Sequence, residues 1–233
     1  MMLRSWTHTI TIVAASCLAL DGPSAAQAQV PVRTAEELQQ ALQGRYESML
    51  DLTADFTQTY EGGVLRSRLV ESGRVQLKIP GKMRWDYQEP EHKLMVSDGE
   101  QMFMYFPDDE QVMVFAVPSV DQGTTPALIL AGIGNFVNDF TAAIDTVQDV
   151  PPDSYVLRLT PTRAEADFEF LTVVLDARSL TITRLMAYDL QGGTSTFFFS
   201  NLQENLYLPD TPFTFEIPRG TEIISTNQST PLQ

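Results

Sequence analysis

The chain has 233 residues, with 30 acidic against 15 basic side chains and a formal net charge of −15. This acidity disfavours nucleic acids, whose phosphates need cationic partners, and electrostatic docking on anionic lipid. Cys17 is the only cysteine, so the rest of the chain can form neither disulfides nor thiolate metal sites. The length favours one domain, which must depend on its apolar core because no disulfide can stabilise it.

Residues 1–28 are typical of a secretory signal peptide. Arg4 precedes an apolar run from Ile10 to Leu20, and Ala26-Gln27-Ala28 fits the small-x-small cleavage rule. The run is about half of the roughly 20 residues that span a bilayer, which disfavours a membrane anchor. The residues before Cys17 fit lipid attachment poorly. We therefore expect an exported protein whose mature chain begins near Gln29.

An amphipathic helix is the first predicted element of the mature chain. Thr34 and Glu37 have the spacing of a capping box. Apolar residues then recur at three- and four-residue steps from Leu38 to Met49. This pattern predicts a helix over about residues 35–50, with one apolar face.

Alternating apolar and polar residues then predict an antiparallel meander. Met83, Trp85 and Tyr87 alternate with polar residues, and Pro80-Gly81 and Asp98-Gly99 mark turns. The strands predicted in this part are Thr53–Tyr60, Leu69–Ile79, Met83–Tyr87, Lys93–Val96, Gln101–Phe106 and Gln111–Val117. Because the last two are apolar on both faces, we expect the sheet to cover or hold something apolar.

A largely apolar segment, Ala127–Phe140, interrupts the strands and predicts one helix or two short ones. Gly132 and Gly134 lie inside it, and a glycine in a helix costs about 1 kcal/mol relative to alanine. Two interpretations remain open from the sequence. The segment is an ordinary core helix with a break, or a mobile lid that covers the sheet until an apolar ligand enters.

Further strands are predicted after the helical segment, and with them a mainly β (α+β) fold. They are Tyr155–Thr160, Phe168–Asp176, Thr181–Asp189, Thr194–Leu202 and Phe213–Ile217. So many strands against two helical segments predict one large, curved antiparallel sheet with the helices on one face. We expect a single domain over residues 29–225 and a disordered polar tail over residues 226–233.

No group of catalytic or metal-binding residues stands out in the sequence. His92 is the only histidine of the mature chain and lies in a predicted turn, where a general base is not expected. Asp108, Asp109 and Glu110 form the densest acidic group, at a hairpin tip where turn geometry alone favours aspartate. We therefore predict a protein that is not an enzyme and uses neither a metal nor a cofactor.

Five short segments occur in an order and spacing that identify a family. They are Ala54-Asp55-Phe56-Thr57-Gln58, Pro80 through Trp85, Leu94-Met95-Val96-Ser97-Asp98-Gly99, Thr125-Pro126-Ala127-Leu128-Ile129-Leu130 and Phe213 through Gly220. In these segments the chain resembles the periplasmic outer-membrane lipoprotein carrier family, LolA. The resemblance extends from about Leu38 to Ile224. It implies an incomplete β-barrel whose concave face is capped by the N-terminal helix and a central helical lid.

The resemblance also implies a function. Family members take acylated lipoproteins from an inner-membrane lipoprotein-releasing ABC transporter and pass them to an outer-membrane receptor. We therefore expect a monomeric periplasmic chaperone that shields acyl chains. A related periplasmic protein that binds another lipid or a glycolipid is the alternative. The family's lipid-anchored receptor is similar, but the poor attachment context of Cys17 argues against it.

The expected site is an apolar cavity beneath the lid. Its expected lining is Phe56, Leu77, Met83, Trp85, Leu94, Met102 and Met104, and the expected lid residues are Leu128, Leu130, Ala131, Ile133 and Phe136. The family archetype has an arginine just before the proline of the Pro80–Trp85 segment, which bonds lid carbonyls and holds the empty cavity shut.

Ile79 occupies the position of that arginine in this chain. The carbonyls that would receive its hydrogen bonds correspond to Leu130 and Ala131. Arg84 has the opposite parity to Met83 and Trp85, so it is expected to face away from the cavity. We hypothesise that apolar contact alone closes the lid.

Overall fold

The computed structural model describes residues 33–62, 67–118 and 125–225. The predicted signal peptide and the predicted disordered tail lie outside these residues. The helices are α1 (Ala35–Ser48), α2 (Pro126–Leu130) and α3 (Phe136–Asp139). The strands are β1 (Asp51–Glu61), β2 (Arg68–Lys78), β3 (Lys82–Glu89), β4 (Lys93–Asp98), β5 (Gln101–Phe106), β6 (Gln111–Ala116), β7 (Phe140–Ile144), β8 (Ser154–Pro161), β9 (Phe170–Asp176), β10 (Ile182–Tyr188), β11 (Thr194–Glu204) and β12 (Glu222–Ser225).

These strands form one open, curved sheet in the order β12-β6-β5-β4-β3-β2-β1-β11-β10-β9-β8-β7. Neighbouring strands are antiparallel except β12, which runs parallel to β6 at one edge. The long strands β1 and β11 join the two halves of the sheet. The predicted mainly β fold with an incomplete barrel is confirmed.

Three elements differ from those predicted. Phe213–Ile217 is not a strand, because Thr211–Phe213 forms a short 3-10 helix and the residues after it join no ladder. Strand β7 lies at the end of the segment predicted as helical, and β12 immediately precedes the polar tail. Both are short edge strands, whose pairing partners rather than their own residues decide their structure.

Helix α1 begins with the predicted capping box. Thr34 Oγ1 accepts a hydrogen bond from the Glu37 amide at 3.2 Å, and Glu37 Oε2 accepts one from the Thr34 amide at 2.8 Å. The helix then presents Leu38, Leu42 and Tyr46 to the core, where all three are buried. The sequence pattern therefore gives both the start of α1 and its packing face.

The core lies on one face of the sheet, which we call the inner face and define by Phe56, Val75 and Trp85. The helices pack on this face, and the buried cluster includes both sheet and helix residues. The sheet contributes Leu52, Ala54, Phe56, Val75, Leu77, Met83, Trp85, Tyr87, Leu157, Leu159, Leu171, Val173, Leu175 and Leu185, and the helices contribute Leu38, Leu42, Tyr46, Leu128, Ile129, Leu130 and Phe136. The helices thus cover the inner face.

Residues 205–221 cross the opposite, outer face of the sheet, and we call them the C-terminal strap. The Asp51 carboxylate, buried in β1, accepts hydrogen bonds from the amides of Leu206 at 2.7 Å and Leu208 at 2.9 Å. Further along the strap, hydrogen bonds from Lys78 and Lys82 lower the pKa of Asp210. The strap is therefore bound to the outer face of β1, β2 and β3 before the chain reaches β12 at the edge of the sheet.

The strap also explains the segment wrongly predicted as a strand. Phe213 is buried, and the Phe215 ring lies 5.4 Å from the Phe103 ring and 5.5 Å from the Tyr105 ring. The alternation of aromatic and polar residues arises because alternate side chains pack on the outer face of the sheet. It does not reflect hydrogen bonding in a ladder.

Substitution of Asp51 by alanine is expected to destabilise the fold through the strap. The amides of Leu206 and Leu208 lose their acceptor, which lowers the free energy of unfolding by about 3 kcal/mol. Urea unfolding followed by tryptophan fluorescence measures this change. Asp55→Ala is the control, because its carboxylate is half-exposed and its ion pair with Arg74 spans 3.6 Å. It should cost less than about 1 kcal/mol, and equal losses would contradict the role of Asp51.

Candidate functional site

An aromatic cluster occupies the centre of the inner face. The Trp85 ring lies 5.1 Å from the Phe56 ring and 5.6 Å from the Phe197 ring, and both contacts are edge-to-face. The Phe199 ring is 6.2 Å from Trp85, and Tyr87 packs on Phe56 at 4.9 Å. Offset and edge-to-face contacts of this kind are favourable for aromatic rings. Leu77 and Met83, also predicted for the cavity, are buried in the same core.

The strand register decides which methionines share this face. Trp85 lies opposite Met95, which lies opposite Met104. Met102, two residues before Met104, therefore has the same orientation. Leu94 lies opposite Asp86, so the structure places it on the outer face and Met95 takes its place. The face of Leu94 was predicted wrongly because the turn between β3 and β4 sets how these two strands pair. The apolar run Leu94-Met95-Val96 does not show which of its residues face inward.

The segment predicted as one or two helices forms two, α2 and α3, joined through Gly132 and Gly134. We call residues 126–139 the lid. Both glycines have positive φ, +77° and +106°, which turns the chain between the helices. Leu128, Leu130, Ala131 and Phe136 are buried against the inner face, and Ile133 is partly buried beside them.

Backbone hydrogen bonds hold the lid at both ends: the Thr162 amide, just after β8, donates to the Asp139 carbonyl at 2.8 Å, and the turn after β2 binds the lid near Ala131. The Gly81 amide donates to the Ala131 carbonyl at 2.7 Å. Ile79 packs so closely on Gly132 that a Cβ at residue 132 would lie 2.8 Å from its Cγ2. Ser97, which is buried, donates to the Gly81 carbonyl at 2.9 Å and supports the turn.

The expectation that apolar contact alone closes the lid was therefore wrong. The Ala131 carbonyl does receive a hydrogen bond, but from a main-chain amide two residues after Ile79. A main-chain donor leaves no side-chain signal in the sequence, so this bond could not be predicted from it. Arg84, as expected, faces the other way, and its Nη1 donates to the Pro212 carbonyl of the strap at 3.4 Å.

Helix α1 holds the other end of the lid. Gln39 Nε2 donates to the carbonyls of Phe136 at 2.6 Å and Phe140 at 2.8 Å, and Gln39 is buried. Gln43 Oε1 accepts from the Phe136 amide at 2.8 Å. Two glutamines one helical turn apart thus bind the first residue of α3 and the residue that follows its end. Gln39 lies next to Leu38 on the apolar side of α1, and that position is the one sequence signal that could have identified it.

A small cavity lies between α1, the end of α2 and strands β1, β2, β10 and β11. Its lining is Arg45, Tyr46, Met49, Leu52, Val75, Leu77, Leu130, Thr181, Ile182, Phe199, Leu202 and Glu204. Its volume is about 20 Å³, enough for one water molecule. Ligand pockets usually have about 300–1,000 Å³. This cavity is therefore much smaller than the spacious one expected from the sequence.

Polar side chains fasten α1 to the sheet at the edge of this cavity. The Arg45 guanidinium forms an ion pair with Glu204 and donates to Thr181 Oγ1 at 2.6 Å. Arg45 and Glu204 are both about three-quarters buried. Separation of α1 from β11 would break this ion pair and enlarge the cavity.

A second polar cluster lies on the inner face further along β2 and β3. Tyr87 Oη donates to Gln58 Oε1 at 3.0 Å, and Lys93 Nζ lies 4.2 Å from the Tyr87 ring centre while it pairs with Glu71. Burial, together with the charge of Glu71, raises the pKa of Tyr87. The phenol is therefore neutral and acts as a structural hydrogen-bond donor.

The residues that the sequence offered for catalysis or metal binding do not come together in the structure. His92 and the group Asp108, Asp109 and Glu110 are exposed at two turns. Within the described ranges, no three histidine, cysteine or acidic side chains lie close enough together to hold a metal ion. In the described parts of the chain, no helix has the length and apolar character needed to cross a bilayer.

Comparison with known proteins connects this architecture to one family. A family model described as outer membrane lipoprotein carrier protein LolA matches residues 47–216. An outer-membrane lipoprotein carrier protein from Bordetella avium is 31% identical over 194 residues, which cover 82% of this chain and 88% of the relative. One from Methylococcus capsulatus is 31% identical over 185 residues, with 78% and 86% covered.

A solved structure shares the fold at low sequence identity. It is an uncharacterized conserved protein from Thermus thermophilus, with a TM-score of 0.51 and 12% identity. The match covers 80% of this chain and 98% of that chain.

Proposed function

The chain belongs to the LolA family of outer membrane lipoprotein carrier proteins, and we propose that it shields the acyl chains of lipoproteins during their transfer between membranes. In this proposal it acts in the periplasm as a chaperone and catalyses no reaction. It receives cargo from an inner-membrane lipoprotein-releasing ABC transporter and delivers it to an outer-membrane receptor where one is present.

One observation carries the proposal: an apolar sheet face is closed by a lid that few polar groups hold. Each buried methylene is worth about 0.8 kcal/mol, so an acyl chain in water represents on the order of 10 kcal/mol. A carrier must supply a comparable apolar surface and still release the chain. The hydrogen bond from Gly81 to Ala131 and those from Gln39 are weak enough to break and form again.

The acyl chains would lie on the inner face after the lid opens. We assign the cavity to Phe56, Leu77, Met83, Trp85, Met95, Met102 and Met104, with Met95 in place of Leu94. Methionine side chains are flexible and adapt to ligands of different shape. The small cavity beside Leu130 marks where a chain would first enter, between α1 and β11.

Leu202→Trp tests this entry. Leu202 lines the small cavity, and an indole at this position would occupy the space that an entering chain needs. We expect the variant to recover at least roughly tenfold less acylated lipoprotein than the wild type, since an overfilled site excludes a ligand. The measurement is affinity purification of the tagged chain from periplasm, followed by mass spectrometry of diacylated and triacylated cargo.

Phe198→Trp is the matched control, because Phe198 is a half-exposed neighbour in β11 that contacts Arg184 instead of the cavity. It should recover cargo as the wild type does. Equal recovery by both variants would contradict entry at Leu202. Absence of lipoprotein from the wild-type preparation, with another lipid or a glycolipid recovered in its place, would favour the alternative function.

A further inference from the structure

Trp85 has a polar atom without a partner at the centre of the inner face. The side chain is 1% exposed, and among the residues that the structure describes no acceptor lies within hydrogen-bonding reach of its Nε1. The rings of Phe56, Phe197 and Phe199 surround it. The indole N–H is thus held in an apolar environment.

An unpaired buried donor is unusual enough to require an explanation. About nine in ten buried polar groups in proteins have a hydrogen-bond partner, and tryptophan is favoured in cores where its N–H can reach one. Nearby polar groups of the same face are paired, since Tyr87 bonds Gln58 and Ser97 bonds Gly81. Phenylalanine at residue 85 would fill an apolar core without an unpaired donor. The N–H therefore suits a ligand that brings its own acceptor.

The surroundings define what that acceptor can be. A carboxylate would lose its hydration among aromatic rings with no cation to compensate it. The two cations that the structure places near these rings are both already paired, Lys93 with Glu71 and Arg45 with Glu204. A neutral carbonyl oxygen loses much less on burial. The environment thus favours an ester or an amide over a free fatty acid.

We propose that Trp85 Nε1 donates a hydrogen bond to the ester or amide carbonyl that joins an acyl chain to its head group. This inference rests on the proposed function and deepens it. The hydrocarbon part of the ligand would contact the surrounding apolar side chains, and the carbonyl would set how far it enters. Trp85 is then a specificity-determining residue that distinguishes acylated molecules from plain hydrocarbons.

The small cavity provides a route to the indole. Phe199 and Val75 both line it, and both are neighbours of Trp85: Phe199 through its ring and Val75 across the β2–β3 ladder. Movement of these two side chains with α1 would connect the cavity to Nε1. A ligand that enters beside Leu202 would therefore meet two direct neighbours of Trp85, Phe199 and Val75.

The chain offers a direct spectroscopic test, because it has only two tryptophans, Trp6 and Trp85. In the full chain with Trp6→Phe, one indole N–H signal remains in a ¹⁵N-correlated NMR spectrum. The ligands are methyl laurate, sodium laurate and tetradecane, delivered from cyclodextrin. We expect methyl laurate to move the indole proton downfield, as hydrogen bonding does, and tetradecane to leave it near its original position.

Displacement of a hydrophobic fluorescent dye gives the affinities. We expect Trp85→Phe to lower the affinity for methyl laurate about fivefold relative to the affinity for tetradecane, because one neutral hydrogen bond is lost. Tyr87→Phe removes another donor of the inner face and should leave that ratio unchanged. The NMR result does not depend on the folding of either variant.

The outcomes separate this inference from the proposed function. If methyl laurate displaces the dye but the indole signal moves equally with ester and hydrocarbon, or not at all, the inference is wrong and acyl binding stands. Tighter binding of laurate than of its methyl ester also overturns the inference. If none of the three ligands displaces the dye, acyl binding itself fails, and the role of Trp85 fails with it.

Discussion

Gly73→Ala is expected to remove most of the stability of the fold. A Cβ at residue 73 would lie 2.0 Å from the carbonyl oxygen of Asp86 and 2.9 Å from the Cα of Tyr87. Both atoms belong to the main chain of β3, so no change of side-chain rotamer relieves the overlap. Strands β2 and β3 would have to separate in the middle of the sheet.

This separation would disturb the site as well as the fold. Gly73 lies opposite Phe56 on β1 and Tyr87 on β3, at a register shift that begins after Ser72. The aromatic cluster of the inner face packs beside it, so the loss of ladder bonds adds to the loss of packing. We expect the free energy of unfolding to fall by about 4 kcal/mol, most of the stability of a marginal domain.

Soluble yield and urea unfolding measure the effect of Gly73→Ala. Gly44→Ala is the control, because Gly44 is exposed in α1 and an added Cβ there would meet no atom within 4 Å. It should raise the free energy of unfolding by up to about 1 kcal/mol, as helix propensity predicts. If alanine at residue 73 costs no more than about 1 kcal/mol, a typical cost for any substitution, β2 and β3 do not approach as closely as described.

Local patterns predicted the elements whose structure depends on neighbours in sequence. The capping box at Thr34 and the alternation of Met83, Trp85 and Tyr87 identified α1 and β3, and the structure confirms both. The two glycines of Ala127–Phe140 indicated a break, and the chain does turn there. Each of these signals acts over a few residues, so a single sequence contains it.

Features that depend on distant segments were not predictable in this way. The face of Leu94 depends on its pairing with Asp86, and the conformation of Phe213 depends on how the strap packs across the sheet. The bond that closes the lid joins two main-chain atoms, Gly81 N and Ala131 O, which no side-chain pattern marks. The unpaired Trp85 donor likewise becomes visible only when all its neighbours are placed.

Ile79 stands where the family resemblance implies an arginine, yet the lid packs on the sheet without a guanidinium at that position. The turn at Gly81 supplies a backbone donor in place of a guanidinium, and Ile79 contributes a contact that depends on the absence of a side chain at Gly132. Closure therefore depends on backbone shape as much as on side-chain chemistry. Substitution at the glycine should accordingly affect the lid more than substitution at the isoleucine.

Gly132→Ala is expected to open the lid. Its methyl group would lie 2.8 Å from Ile79 Cγ2, and alanine is also strained at a φ of +77°. The closed form would lose about 2 kcal/mol, so the open fraction would rise and a hydrophobic dye would bind up to about 30-fold more tightly. Fluorescence titration measures the affinity, and stopped-flow mixing measures the exchange rate.

Two further variants separate the clash from the strain. Gly134→Ala has a similar backbone penalty, at a φ of +106°, but its methyl group would meet only Asp139 Oδ2 at 3.4 Å. Its effect on dye binding should be smaller. Ile79→Ala removes the atom with which residue 132 collides, so Gly132→Ala should cost about 1 kcal/mol less in that background. If the effects of the two substitutions simply add, Ile79 does not hold the lid through Gly132.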